Sequence, residues 1–147
     1  MATITLQAKA ESQSATHMVV KTGGFTLHID EPASLGGSDT GPNPVQYVLA
    51  ELAGCLNVVG HLVAGEMGIQ LKGLKVDIRG KLDPACFQGT SDAVRAGLQE
   101  VEVQVTPNTD ASPERLAQWM ATVEQRCPVS DNLANSTTVI IVLTPAK

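Results

Sequence analysis

The chain has 147 residues, enough for one domain with a substantial core, and 43% of them are hydrophobic, which excludes intrinsic disorder. Its formal net charge is −5, and its ten Lys and Arg residues form no cluster along the sequence. This charge pattern argues against nucleic acid and anionic membrane surfaces as partners. We therefore predict a single domain over residues 1–147.

The N-terminal third of the chain predicts three strands. Residues 3–10 alternate polar and apolar side chains as a half-buried strand does, and residues 17–21 and 24–30 predict two more. A glycine pair between the last two favours a hairpin turn. Residues 34–42, which include three glycines, predict a loop before the longest apolar segment.

That apolar segment, residues 45–67, is long enough to span a membrane, but polar and charged residues interrupt it. Asn43 suits a helix N-cap, Pro44 the first helical position and Gly68 the end. We therefore predict a buried helix of a soluble protein. Because apolar residues lie on most of its sides, a second helix, a partner chain or both must cover it.

The C-terminal half predicts two strands, a helix, a short turn or helix, and a final strand. Residues 71–82 and 98–105 alternate with a period of two, as strands do. Ser112 and Pro113 suit the start of a second helix. Residues 137–143, TTVIIVL, predict the last strand. This order of elements indicates an α+β domain.

The cysteines and the N-terminus indicate the cellular compartment and limit the kinds of chemistry that we expect. The start MATITLQAKAES lacks the basic and apolar regions of a signal peptide, so we expect a cytoplasmic protein. In that reducing compartment cysteines are usually free, metal-bound or catalytic. The three cysteines form no CxxC pair and no Cys/His cluster, so we expect neither a metal nor a cofactor.

Two of the cysteines occupy informative positions. On position alone Cys55, within the long helix, is typical of a small hydrophobic packing residue, and Glu51 one turn earlier disfavours its thiolate form. Cys127 precedes Pro128 and suits the N-cap of a new helical turn, where the helix dipole stabilises a thiolate. For Cys127 a functional thiol and a packing residue both remain open.

The third cysteine and the histidines carry weaker signals. Cys86 lies in a weakly patterned segment and is interpreted as an incidental loop residue. His61 is six residues from Cys55, so the two do not share a helix face. His17 and His28 lie on predicted strands and are interpreted as surface or packing residues.

The two cysteine contexts and the order of elements resemble the OsmC/Ohr family, the osmotically inducible and organic hydroperoxide resistance proteins. The segment GPNPVQYVLAELAGCLNVV resembles the family's loop and first core helix. The segment RCPVSDNLANSTTVIIVL resembles its second-cysteine motif and last strand. The resemblance covers nearly the whole chain and implies an OsmC-like fold, with two strand layers around central helices in an intertwined homodimer.

The resemblance also implies an activity, the thiol-dependent reduction of organic hydroperoxides. It makes Cys55 the peroxidatic thiol, which attacks the O–O bond, and Cys127 the resolving thiol, which closes a disulfide. A dithiol reductant, a dihydrolipoyl protein for some members, then restores both thiols. The alternative is a non-peroxidase relative that binds an apolar small molecule at the dimer interface.

The chain departs from the well-characterised peroxidases of that family at one linked pair. Those proteins carry a Glu just after the proline of the first core helix and an Arg in the N-terminal half. Here Val45 and Gln46 occupy the position of the acid, and no Arg occurs before Arg79. Lys21, Glu51 and Gln46 are therefore the candidates for supporting the thiolate, with His17 and His28 as alternatives to Lys21 in the role of the Arg. Lys lacks the planar bidentate geometry of Arg.

Overall fold

The computed structural model describes residues 2–146. The chain divides between Ala50 and Glu51 into two compact units, and the helix α1, Pro44–Glu66, continues from the first into the second. The described residues form three α-helices and two antiparallel sheets. The predicted α+β class is confirmed.

The first unit contains a three-stranded antiparallel sheet. Its strands β1 (Lys9–Ser12), β2 (Met18–Thr22) and β3 (Phe25–Ile29) lie side by side in chain order. Gly23 and Gly24 join β2 to β3 with φ angles of 54° and 82°. Glycine adopts such angles without the steric cost of a Cβ, which is why this pair favours the tight hairpin turn that the sequence predicts.

The first predicted strand was placed too early. Residues 2–8 form no strand, and β1 begins at Lys9 because only residues 9–12 lie opposite β2. The apolar side chains of Ile4 and Leu6 remain 78% and 87% exposed. Their alternation is real, but the described part of this chain supplies no surface that buries it.

The start and end of α1 follow the predicted capping signals. The Asn43 side-chain oxygen accepts a hydrogen bond from the Gln46 N–H at 2.8 Å, and the Gln46 side chain accepts one from the Asn43 N–H at 2.9 Å. This reciprocal pair is a capping box. Gly68, with a φ of 64°, follows the end of the helix and turns the chain away.

The second unit contains a two-stranded sheet and two further helices. The strands β4 (Gly73–Lys81) and β5 (Glu100–Asn108) pair antiparallel along their whole length. The helix α2 (Pro113–Arg126) starts directly after its N-cap Ser112, as predicted. Residue 127 alone separates α2 from the short helix α3 (Pro128–Ala134).

A hydrophobic core lies where α1, α2 and the strands of this unit meet. Trp119 is 2% exposed, and its indole Nε1 donates a hydrogen bond to the Gly60 carbonyl at 2.8 Å. A Cβ at Gly60 would lie 3.2 Å from the Trp119 ring, so the close contact between these helices favours glycine there. The buried members of the core are Leu52, Leu56, Val59, Val63, Ala64, Ile69, Trp119, Val123 and Cys127.

One side of α1 is not covered within the described chain. Val58 and Leu62 are 65% and 53% exposed, although the sequence predicts that most sides of this helix are buried. By length and composition α1 also meets the criterion for a membrane-spanning helix, but core helices of soluble proteins meet it too. Its other side packs into the core described above.

The predicted last strand is absent from residues 136–146. These residues adopt no regular secondary structure, and the apolar side chains from residue 139 to residue 143 are 76% to 90% exposed. A strand needs a neighbouring strand to satisfy its backbone N–H and C=O groups. The prediction of a strand was wrong for this chain as described, because no such neighbour is present.

Candidate active site

Cys55 lies in the middle of α1, on the edge of its buried side. Cys55 is half-buried, and the nearby Leu52 and Leu56 on the same helix are buried. The regular helix fixes the direction of the side chain. The thiol is therefore held at the border between the core and the more open part of the helix.

Cys127 is the single residue that joins α2 to α3, and it is 0% exposed. It is the N-cap of α3, as the sequence predicts, and its sulfur accepts a hydrogen bond from the Ser130 N–H at 3.4 Å. Pro128 occupies the first helical position, where its fixed φ and missing N–H favour a helix start. The local sequence thus positions this thiol through a cap and a proline.

The structure brings these two thiols into direct contact. The sulfur of Cys127 donates a hydrogen bond to the sulfur of Cys55, with an Sγ–Sγ distance of 3.0 Å. Both cysteines are free, and the distance exceeds the length of about 2.05 Å of a disulfide bond. Residues 72 positions apart in the sequence therefore form a reduced pair that needs little movement to become oxidised.

The environment of Cys127 favours its neutral thiol. Burial raises the pKa of Cys127, and its hydrogen bond to Cys55 raises the pKa further. The Ser130 N–H lowers this pKa, but by less than burial raises it. The N-cap was predicted correctly, but its predicted effect, a stabilised thiolate on Cys127, was wrong because the loss of hydration outweighs the helix terminus.

The three candidate supporting residues lie at separate places. Glu51 is exposed on α1, and no ion pair involving it occurs among residues 2–146. The amide of Gln46 is engaged with Asn43 in the capping box of α1. Lys21 is exposed on β2, opposite Lys9 and Thr26 on its neighbouring strands. Only Glu51 belongs to the same compact unit as the two thiols.

The remaining cysteine and the histidines make their hydrogen bonds with residues other than Cys55 and Cys127. Cys86 is half-buried in a turn, where its carbonyl accepts a hydrogen bond from the Gly89 N–H. His61 Nδ1 donates to the carbonyl oxygen of Asn57 in its own helix at 2.9 Å. His17 and His28 lie 3.0 Å apart between ring nitrogens. Within residues 2–146 no group of three or more His, Cys, Asp or Glu side chains is arranged to hold a metal.

An apolar cavity of about 200 Å³ lies in the same unit as the thiols. Its wall includes Ser130, whose N–H contacts the Cys127 sulfur, the two leucines that flank Cys55 on α1, and the charged Glu124, while neither cysteine lines it. The apolar side chains that line it are Leu52, Leu56, Val103, Val105 and Met120. Such a cavity suits a hydrocarbon group better than a small polar molecule.

Sequence reasoning missed two features near the ends of α1. Asp30 is 1% exposed and organises the loop before the helix through four hydrogen bonds. At the other end Glu66 pairs with Arg126, which adjoins Cys127. A buried acid among Ser, Thr and Gly residues was a possible signal for the first, but the second joins residues 60 positions apart without any local pattern.

Comparison with known proteins identifies the family of this chain. The model of the OsmC-like protein family matches residues 36–142. The chain belongs to the OsmC-like family. The predicted OsmC-like fold is confirmed by the same match and by solved structures of similar fold. No protein of curated function matches the sequence.

Several solved OsmC-like structures are similar over almost the whole chain. An OsmC-like protein from Mycoplasma pneumoniae has a TM-score of 0.78 and 19% identity, over 90% of this chain and 89% of that one. An organic hydroperoxide resistance protein OsmC from Legionella pneumophila has a TM-score of 0.61 and 23% identity, over 90% and 91%. The organic hydroperoxide resistance protein OhrB of Bacillus subtilis has a TM-score of 0.58 and 22% identity, over 90% and 93%. At these identities the likeness shows the fold alone.

Proposed function

We propose that this OsmC-like protein is a thiol peroxidase that reduces organic hydroperoxides through Cys55 and Cys127. The observation that carries the proposal is the 3.0 Å Sγ–Sγ contact in which Cys127 is the donor. The resemblance to the OsmC/Ohr family makes Cys55 the attacking sulfur, and the raised pKa of Cys127 suits a resolving thiol that stays protonated at rest. The names of the Legionella and Bacillus relatives agree with this class of substrate.

The proposed cycle has three balanced steps. The Cys55 thiolate attacks the O–O bond of ROOH, so its sulfur becomes a sulfenic acid and ROH leaves after taking up a proton. The Cys127 thiol then displaces water from the sulfenic acid, which forms the Cys55–Cys127 disulfide. A dithiol, such as a dihydrolipoyl group on a protein, reduces this disulfide by exchange and becomes a disulfide itself. The last step needs a compartment that keeps dithiols reduced, as the predicted cytoplasmic location would.

The apolar cavity supports an organic hydroperoxide rather than hydrogen peroxide as substrate. An alkyl or aryl group that enters it gains free energy by leaving water, roughly 0.8 kcal/mol for each buried CH₂. Hydrogen peroxide has no apolar group and gains nothing from these walls. We therefore expect a lower KM for cumene hydroperoxide than for hydrogen peroxide.

Peroxide consumption by the purified protein tests the proposal. With cumene hydroperoxide and dihydrolipoamide we expect turnover that Cys55→Ser abolishes and that Cys86→Ser, the matched control, leaves unchanged. Cys127→Ser should accumulate a sulfenic acid on Cys55, detected by mass spectrometry as a dimedone adduct. Absence of turnover in the wild type, or full activity in Cys55→Ser, would refute the peroxidase.

We further propose that the active protein is a homodimer. The support is apolar surface that this chain leaves open at three places: the N-terminal segment with Ile4 and Leu6, the side of α1 with Val58, and the C-terminal residues 139–143. A second copy that covers these residues would remove an unusually large exposed apolar area. Light scattering coupled to size exclusion should give twice the monomer mass of 15.4 kDa. A monomer at micromolar concentration would contradict the dimer.

The second candidate function is binding of an apolar small molecule without peroxide chemistry. The same cavity favours it, as does the raised pKa of Cys127, which lowers the fraction of thiolate at neutral pH. Native mass spectrometry distinguishes the two functions. A co-purified apolar ligand together with thiols that stay reduced in excess cumene hydroperoxide would support the binding protein, whereas rapid closure of the disulfide would support the peroxidase.

A further inference from the structure

An ion pair joins the last residues of the two long helices, α1 and α2, and one of its members, Arg126, directly precedes Cys127. The guanidinium of Arg126 donates to both carboxylate oxygens of Glu66, at 2.5 and 3.1 Å. This two-point geometry fixes the orientation of both groups, which are partly exposed, at 39% for Arg126 and 50% for Glu66. Hydrogen bonding to Arg126 lowers the pKa of Glu66, and hydrogen bonding to Glu66 raises the pKa of Arg126.

The positions of the two residues are not explained by their own helices alone. Arg126 is the last residue of α2, where a positive charge complements the helix dipole. Glu66 is the last residue of α1, the end at which the dipole disfavours a negative charge. The bond to Arg126 offsets this unfavourable placement. The pair thus ties the end of α2 to the end of α1.

The consequence of this tie falls on Cys127. Cys127 follows Arg126 directly and is both the C-cap of α2 and the N-cap of α3. Pro128 restricts the backbone on the other side, so the joint between the helices has little freedom of its own. A shift of the Arg126 backbone is therefore passed through one rigid peptide unit to the residue that carries the thiol.

We propose that the Glu66–Arg126 pair is a positioning device that holds the thiol of Cys127 against Cys55 for disulfide closure. The inference rests on the redox pair of the proposed function and names two residues that serve its resolving step. Neither residue touches the reacting sulfurs through a hydrogen bond. The guanidinium is occupied by the carboxylate, so its effect on Cys127 is one of placement.

The chain offers a matched control at the other end of α2. Arg115, in the first turn of that helix, donates a hydrogen bond to the carbonyl oxygen of Met67. Arg115 and Arg126 therefore both tie α2 to the region where α1 ends, but only Arg126 adjoins the cysteine. Loss of either contact should loosen the helix, while only loss of the second should release the thiol.

The equilibrium between the thiol pair and the reduced and oxidised forms of dithiothreitol measures this placement without any peroxide. Each exchange oxidises the two protein thiols to one disulfide and reduces the cyclic disulfide reagent to its dithiol. All variants carry Cys86→Ser, so that Cys55 and Cys127 are the only thiols. For Arg126→Ala we expect the equilibrium constant for closure to fall roughly ten- to a hundredfold, since small misplacements have effects of this size.

Further variants separate placement from general loosening. Glu66→Gln should lower the constant as Arg126→Ala does, and Arg115→Ala should leave it within about twofold. The exchange Glu66→Arg with Arg126→Glu should restore most of the loss, because it rebuilds the pair. Thermal melting of each reduced variant confirms that it is folded at the temperature of the measurement.

The outcomes are distinct from those of the peroxidase assay. An unchanged constant in both Arg126→Ala and Glu66→Gln would overturn the positioning role, as would an equal fall in Arg115→Ala. A wild-type pair that does not close in oxidised dithiothreitol would overturn it as well. A pair that closes normally, depends on Arg126 and yet consumes no cumene hydroperoxide would remove the proposed function and retain the inference.

Discussion

Two buried acidic groups, one in each compact unit, show how differently a protein can treat a group that it removes from water. Asp30 is 1% exposed and Cys127 is 0% exposed. The pKa of Asp30 lies far below its usual range, chiefly because the Thr40 hydroxyl donates to it, whereas burial raises the pKa of Cys127. The loop around Asp30 keeps an anion, and the turn around Cys127 keeps a neutral thiol.

The number and strength of hydrogen-bond donors account for the difference. The Asp30 carboxylate accepts from the N–H groups of Glu31, Ser38 and Thr40 at 2.8 to 3.2 Å and from the Thr40 hydroxyl at 2.7 Å. The sulfur of Cys127 accepts one hydrogen bond, from Ser130 at 3.4 Å, and donates its own proton to Cys55. Burial disfavours the charged form in both cases, and only a full set of donors reverses it. In the proposed mechanism this contrast is useful, because a resolving thiol does not need to be ionised at rest.

Removal of the Asp30 carboxylate should have the largest effect on stability. In Asp30→Leu four donors lose their acceptor in a buried site, so we expect Tm to fall by roughly 5–10 °C. Asp39→Asn is the control, because Asp39 is exposed and Asn tolerates its positive φ of 55°. Equal melting temperatures for the two variants would show that the carboxylate does not hold this loop together.

The same loop can be disturbed without touching the acid. A Cβ on Gly37 would overlap the carbonyl oxygen of Glu31, so Gly37→Ala must move the backbone that surrounds Asp30. We expect Tm to fall by roughly 3–8 °C. Gly65→Ala is the matched control on α1, where an added methyl group meets open space. A Tm for Gly37→Ala as high as that of the control would mean that the loop adapts freely and that its donors are not preorganised.

The sequence predicted the fold wherever a local signal determined the structure. The glycine pair of the β2–β3 turn, the cap at Asn43 and the cap at Ser112 act within a few residues, and all three are present. The first strand, predicted over residues 3–10, lies instead at residues 9–12, and the strand predicted over residues 137–143 is absent from the described chain. Alternation shows that a segment suits one apolar and one polar face, but it does not show which chain supplies the covering surface.

The candidate site was predicted less completely, because most of its properties depend on contacts between residues that are far apart in the sequence. The N-cap position of Cys127 followed from Pro128, but the direction of its pKa shift depends on burial by residues far away in the sequence. The resemblance to the OsmC/Ohr family, rather than any spacing, pointed to the partnership of Cys55 with Cys127. The pairing of Glu66 with Arg126 has no sequence pattern at all, because it depends on how two helices cross.

The two buried groups should affect the pH dependence of stability in opposite directions, Asp30 at low pH and Cys127 at high pH. The Asp30 pKa is lower in the folded state, so its contribution is present above about pH 4 and is lost as the pH falls further. The Cys127 pKa is higher in the folded state, so its contribution is present below the ordinary value of 9.0 and is lost as the pH rises through the folded value.

Urea unfolding under reducing conditions measures both effects, the loss of stability in acid and the loss in alkali. The difference between the wild type and Asp30→Asn should shrink in acid, and the wild type should lose stability above pH 9 more steeply than Cys127→Ala. Each variant removes one titrating group, so contributions from other residues cancel in the difference. Parallel curves for the wild type and Cys127→Ala in alkali would mean that the thiol ionises as readily in the folded protein as in the unfolded chain.

The smallest effect should come from the cap itself. Serine at position 127 can still accept from the Ser130 N–H, whereas alanine cannot, so we expect Cys127→Ala to be less stable than Cys127→Ser by about 0.5–1 kcal/mol. The same two substitutions at Cys86, which lies in a turn rather than at a helix start, should differ by less. If alanine proves as stable as serine at position 127, the weak donor to this sulfur contributes nothing measurable. Burial alone would then stabilise residue 127 in this turn, in contrast to Asp30, which four hydrogen-bond donors stabilise.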